Sequence, residues 1–130
     1  KGASLNNLGR YEEALRVIDQ AIEIDENMSE AWNNRCVSLN SLGKYEEALD
    51  ASEMAIKLNE NLSAAWNNKA ASLNNLGRYE EALSAAEKAI ELNGSLPEAW
   101  NAKSISLRAL GRISEADEAL AAAKTLGFAE

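Results

Sequence analysis

The sequence predicts an all-α solenoid of stacked helix pairs, and three observations predict it. Trp32, Trp66 and Trp100 recur every 34 residues, and the same step carries Gly9, Gly43, Gly77 and Gly111, then Leu5, Leu39, Leu73 and Leu107. Self-similarity at a fixed period of this size marks a chain made of one supersecondary unit stacked on itself. Within each period the apolar residues fall at steps of three and four, the spacing of one helical face. A glycine then closes the first helical stretch of each period, where a residue just past a helix end takes positive φ.

Taken in order, residues 1–28 form a partial unit. Counting back 34 from Arg35 reaches Lys1, so the chain is expected to enter a first helix about seven residues late, turn at Gly9 and continue in a second helix. In 29–62 the residues Ala31, Trp32, Cys36, Leu39 and Leu42 mark a first helix, and Leu42-Gly43-Lys44-Tyr45 marks the turn. Ala48, Leu49, Ala51, Ala55, Ile56 and Leu58 mark the second helix, with Glu46 and Glu47 at the positive end of its dipole. Asn59-Glu60-Asn61 links this unit to 63–96, which matches it at roughly two-thirds of positions. In 97–130, Pro97 stands where only the first turn of a helix tolerates it. Asn27 with Glu30, and Ser95 with Glu98, have the spacing of a capping box.

The two ends of the repeat array differ. Leu15, Leu49 and Leu83 give way to Asp117, and Ile22, Ile56 and Ile90 give way to Lys124. Those apolar side chains are expected to face the next helix pair, so the polar replacements read as an end cap of the kind a solenoid needs for solubility. Leu5, Leu8 and Leu15 are expected to leave an apolar end on the other side, through which a homo-oligomer would assemble.

Composition narrows the function. Apolar residues make up 46% and charged residues 26% of a chain with net charge −8, from 13 basic and 21 acidic side chains. Nucleic acid and anionic membranes need concentrated Lys and Arg, so neither is expected as a partner. There is no histidine, the commonest metal ligand and acid–base catalyst, and Cys36 is the single cysteine. No multi-cysteine zinc site, activated nucleophile or glycine-rich phosphate loop is present, so no enzyme activity and no cofactor are expected. Asp25-Glu26-Asn27 lacks the further ligands of a calcium loop. No apolar run approaches the ~20 residues of a membrane span, and a lone thiol fits a reducing, cytoplasmic location. Cys36 stands where other units have Gly2, Ala70 and Ser104, which reads as a small packing residue.

Trp32, Leu39, Gly43, Tyr45, Ala48, Ala55 and Leu58, with their equivalents in the next unit, closely resemble the marks of the tetratricopeptide repeat. The resemblance covers the whole chain and implies a right-handed α-α superhelix of about 3.75 helix-turn-helix repeats. It divides the single domain into a partial repeat 1–28, repeats 29–62 and 63–96, and a capping-like repeat 97–130. Two family features are missing: Glu26, Glu60 and Gly94 replace a proline after the second helix, and Ile18, Ser52, Ala86 and Leu120 replace a large aromatic within it. A thin core between the helices is therefore expected.

The resemblance also implies that the first helices line a concave face. Its outward stripe reads Asn33, Val37, Asn40 and Ser41, then Asn67, Ala71, Asn74 and Asn75, then Asn101, Ile105, Arg108 and Ala109, with Asn6 and Asn7 in the partial repeat. Asparagine is a poor helix former, so its abundance here invites explanation. A side-chain amide donates and accepts at once, so a row of them can hold the backbone of an extended peptide. Asn34 and Asn68, two residues after the Trp, are similar in place to the asparagine ladder of some family members. The competing reading is that these amides are only solvated. The clamp that binds chaperone C-terminal carboxylates is not matched: Ala64 or Glu98 stands at its lysine place, and Asn68 or Ala102 at its arginine place. The expected function is a non-catalytic scaffold for a protein or peptide partner of unknown identity. The alternatives are a self-assembling structural module and the recognition arm of a larger protein.

Overall fold

The computed structural model describes residues 2–25 and 28–127, with side chains described from Gly9 onward. Its helices are α1 (Gly2–Ile24), α2 (Ser29–Ser41), α3 (Tyr45–Leu58), α4 (Ser63–Asn75), α5 (Tyr79–Leu92), α6 (Pro97–Ala109) and α7 (Ile113–Thr125). The pairs α2/α3, α4/α5 and α6/α7 pack antiparallel, α3 lies on α4 and α5 on α6, and α2, α4 and α6 touch in succession. This nearest-neighbour stacking makes the chain an all-α solenoid.

Each tight turn has one chemical cause. Gly43, Gly77 and Gly111 adopt φ of 80°, 78° and 83°. The N–H of the glycine then reaches Asn40, Asn74 or Arg108 O at 3.1 Å, and the next N–H reaches Leu39, Leu73 or Leu107 O at 2.8–2.9 Å. These paired bonds satisfy carbonyls that the helix end would leave open. At the other end of the pair the link is wound by Asn59 and Asn93, whose Oδ1 atoms accept from the N–H groups of Asn61 and Ser95. That winding places Leu96, not Ser95, at the N-cap of α6, with no side-chain cap bond. The capping box expected from Ser95 and Glu98 is therefore not formed, and Asn27 lies outside the described residues. Pro97 opens α6 as expected.

The core between helices is thin. Ala48, Ala55, Ala82, Ala86, Ala89, Ala116 and Ala123 are fully buried, and Leu39, Leu73 and Leu107 are the largest side chains with under 2% exposure among the described residues. Ser52, in the place of the missing aromatic, is also fully buried and donates to Leu49 O at 2.8 Å. Small side chains let the helices approach closely, but they leave each pair with little apolar area of its own. The deficit is made up between pairs. Leu49 joins the cluster of Ala70, Leu73, Ala82 and Ala102, while Leu83 joins that of Leu107, Ala116 and Ala119. Leu15 packs against Cys36, Leu39, Ala48 and Ala51, so it faces the next pair rather than forming an exposed end. Leu5 and Leu8 lie outside the described side chains.

The first unit departs from expectation. No turn forms at Gly9, and α1 runs unbroken from Gly2 to Ile24. Residues 3–15 and 71–83 are identical residue for residue, yet the second copy bends at Gly77. Before Gly77, α4 has its whole length against neighbouring helices, and burial of Ala65, Ala70 and Leu73 offsets the cost of ordering a turn. At Gly9 the backbone of α1 stays helical. Continuing the helix instead adds a backbone hydrogen bond per residue.

The two glycines therefore respond oppositely to alanine. Gly77→Ala meets no atom within 4 Å but must hold positive φ, and it is expected to destabilise the chain by about 1–2 kcal/mol. Gly9→Ala in a straight helix is expected to stabilise it by about 0.5–1 kcal/mol. Urea unfolding of both variants checks the pair, and destabilisation by Gly9→Ala would show that the first unit turns after all.

Candidate functional site

The stripe of first-helix residues is split by the structure into two roles. One set holds the repeats together. Asn74 is buried, its Nδ2 donates to Ala102 O at 3.2 Å, and its Oδ1 lies 2.7 Å from the Ser106 hydroxyl. One repeat earlier, Asn40 accepts from Ser72 at 3.1 Å and its amide lies 3.7 Å from Cys36 Sγ. Asn68 donates to Asn33 Oδ1 at 2.6 Å, again joining α4 to α2. Ser72 and Ser106 are fully buried and Ser38 nearly so, and the three share the 34-residue step. That recurrence of serine is the sequence signal that points to the partners of the asparagines. Among the described residues no buried side-chain nitrogen or oxygen lacks a partner.

The second set opens to solvent around a hollow of about 350 Å3 between α4 and α6. Asn67, Ala71, Asn74 and Asn75 line it from α4, Tyr79 from the start of α5, and Glu98, Asn101, Ala102 and Ile105 from α6. Six of the expected residues thus meet: Asn67, Ala71, Asn74, Asn75, Asn101 and Ile105. Asn33, Asn34, Val37, Asn40, Ser41, Asn68 and Arg108 do not line this hollow. Asn34 is exposed, whereas the Asn68 amide is spent on Asn33, so the structure does not bring that pair into the hollow. Val37, 43% exposed, continues the stripe on α2. Arg108 turns to Asp117 at 2.8 Å on α7. Tyr79 is an addition that the helical stripe could not reveal. It belongs to the second helix, and the left-handed turn at Gly77 swings it back against the end of α4.

The remaining marked residues are structural. Trp66 and Trp100 pack against the cores and donate from Nε1 to Glu60 O and Gly94 O, both at 2.9 Å, pinning the links between pairs. Lys69 and Lys103 lie 5.4 and 5.3 Å from those ring centres and pair with Glu53 and Glu87 of the preceding second helix. Arg35 pairs with Asp19 at the equivalent place. Cys36 is fully buried, and burial pushes its thiol above the ordinary range despite the Ser72 hydroxyl 3.6 Å away. It is a packing residue. Among the described residues no group of His, Cys, Asp or Glu is placed to hold a metal ion, and no helix is long and apolar enough to cross a membrane.

The tetratricopeptide repeat profile matches residues 29–62 and 63–96, and a second profile of the same repeat matches 1–28. The chain belongs to the tetratricopeptide repeat family. Its fold is accordingly that of a protein–protein interaction scaffold. No curated protein matches the chain. Among solved structures it is similar to a thermophilic tetratricopeptide repeat protein of Thermus thermophilus, with TM-score 0.84, 21% identity and coverage of 97% of this chain and 71% of that one. MamA from Desulfovibrio magneticus gives TM-score 0.80 at 20% identity, over 94% of this chain and 69% of that one. At those identities the likeness is one of fold. The first tetratricopeptide repeat domain of Spaghetti, bound to the HSP90 peptide SRMEEVD, gives TM-score 0.76 at 26% identity, over 79% of this chain and 82% of that one.

Adjacent asparagines separate the two roles in this repeat protein. Asn74→Ala is expected to lower stability by about 1–2 kcal/mol, because it removes the amide that bridges α4 to α6. Asn75→Ala, on an exposed residue, is expected to stay within about 0.5 kcal/mol of the parent. Urea denaturation of the two single variants measures the difference.

Proposed function

We propose that the chain is a non-catalytic scaffold that holds an extended peptide segment of a protein partner along the face of α2, α4 and α6. The observation that carries this reading is the hollow between α4 and α6, where the amides of Asn67, Asn75 and Asn101 surround the apolar Ala71 and Ile105. Amides can meet a peptide backbone in either sense, and an apolar floor takes a side chain. A similar domain binds a peptide in the Spaghetti complex, which supports a peptide as the class of ligand. The buried, reduced Cys36 is in keeping with a cytoplasmic site of action. The last repeat, 97–130, acts in this reading as the cap of the stack. Asp117, 65% exposed and paired with Arg108, stands where Leu15, Leu49 and Leu83 each enter the next cluster. Asn67→Ala combined with Asn101→Ala is expected to reduce capture of the partner by about tenfold, from the loss of two hydrogen-bonding groups, while far-ultraviolet circular dichroism stays unchanged. Unchanged capture would remove the groove from consideration.

A second reading, self-association, is favoured by one feature of α1. Val17 is 64% exposed and Ile24 88%, whereas Ala51, Ala85 and Ala119, at the place of Val17 in the later repeats, are at most 3% exposed. The straight course of α1 uncovers the side that a first helix covers elsewhere. A second copy could cover it by laying α1 against α1. Light scattering over a hundredfold concentration range is then expected to show the mass rising toward that of a dimer, and Val17→Glu with Ile24→Glu to hold it at the monomer. A mass that stays monomeric in the parent chain would exclude this reading.

A further inference from the structure

We propose that the hollow between α4 and α6 selects a peptide segment bearing a basic side chain, which pairs with Glu98. The inference rests on the groove reading and assigns its ligand chemistry. Glu98 is the single charged residue in the lining, it is exposed, and it joins none of the ion pairs among the described residues. The cations on the same two helices are engaged elsewhere: Lys69 with Glu53, Lys103 with Glu87 and Arg108 with Asp117. The hollow therefore presents an unmatched negative charge beside neutral amides and the Tyr79 ring.

A carboxylate in the first turn of a helix also favours the helix dipole, and that role alone could account for Glu98. The fold does not require it. Ala64 holds the equivalent place on α4, which begins at the same register without an acidic residue in its first turn. With the fold satisfied either way, the carboxylate is available to a ligand. Asn67, Asn75 and Asn101 would take the ligand backbone, Ala71 and Ile105 a small aliphatic side chain, and Glu98 a neighbouring Lys or Arg. The net charge of −8 adds a long-range attraction of the same sign preference. The selected peptide is thus opposite in charge to the acidic SRMEEVD segment held by the Spaghetti domain.

The test uses the whole chain and three capped nonapeptides of Gly, Ala and Val that differ only in a central Lys, Gln or Glu. Binding is followed by nuclear magnetic resonance through the side-chain amides of Asn67, Asn75 and Asn101. At low salt the Lys peptide is expected to bind about three- to fivefold more tightly than the Gln peptide, and the Glu peptide more weakly than either, the range of an exposed ion pair. The preference is expected to vanish at about 0.5 M salt and in Glu98→Gln, and to reverse in Glu98→Lys, with helicity unchanged in both variants. Equal binding of all three peptides at the amides would overturn the charge selection and leave the groove reading standing. Failure of every peptide to move the amides would remove the groove reading, and this inference with it.

Discussion

The helix pairs of this chain bury few large side chains of their own, because the space between their helices is filled mostly by alanine. Among the described residues, Leu39, Leu73 and Leu107 are the largest side chains with under 2% exposure. An alanine side chain removes little apolar surface from water, so a pair assembled this way has a small driving force against the entropy of ordering its residues. What stabilises the fold is the connection forward. Leu15, Leu49 and Leu83 leave their own helices and enter the cluster of the next pair. Each pair thus gains apolar burial from its neighbour, and this nearest-neighbour packing builds the solenoid.

The same packing explains the polar residues between repeats. Close packing of first helices leaves buried backbone carbonyls and hydroxyls facing one another, and an unpaired buried polar group is destabilising. Asn40 with Ser72, and Asn74 with Ser106, meet this need at an interval of one repeat. The ion pairs Asp19–Arg35, Glu53–Lys69 and Glu87–Lys103 repeat at the same interval outside the core. They are partly exposed and screened, so they contribute less than the buried contacts. Their worth is in register, since each fixes which turn of one helix faces which turn of the next.

The proposed function rests on what the packing leaves over. Once Asn40, Asn68 and Asn74 are committed between helices, the other polar side chains lining the hollow are Asn67, Asn75, Asn101, Tyr79 and Glu98, beside the apolar Ala71 and Ile105. The scaffold spends asparagines first on itself, and the proposed groove is the remainder. In the proposed function, recognition rests on the spacing of these amides and on one carboxylate.

The sequence by itself determined the period, the existence and type of α2 to α7, the turns at Gly43, Gly77 and Gly111 and the small residue at Cys36. Each of these is local or repeats so often that periodicity reveals it. Glycine permits the positive φ of the turn, and an apolar face is a property of spacing. Tertiary structure decided the rest. Asn74 and Asn75 are neighbours of the same type, and only the position of α6 makes one a buried bridge and the other a free amide. Residues 3–15 and 71–83 carry the same letters and take different shapes, straight across Gly9 and bent at Gly77. The backbone preferences are equal in the two copies, so the difference is tertiary in origin. At Gly77 the turn is held by the packing of α4, whose Ala65, Ala70 and Leu73 are buried.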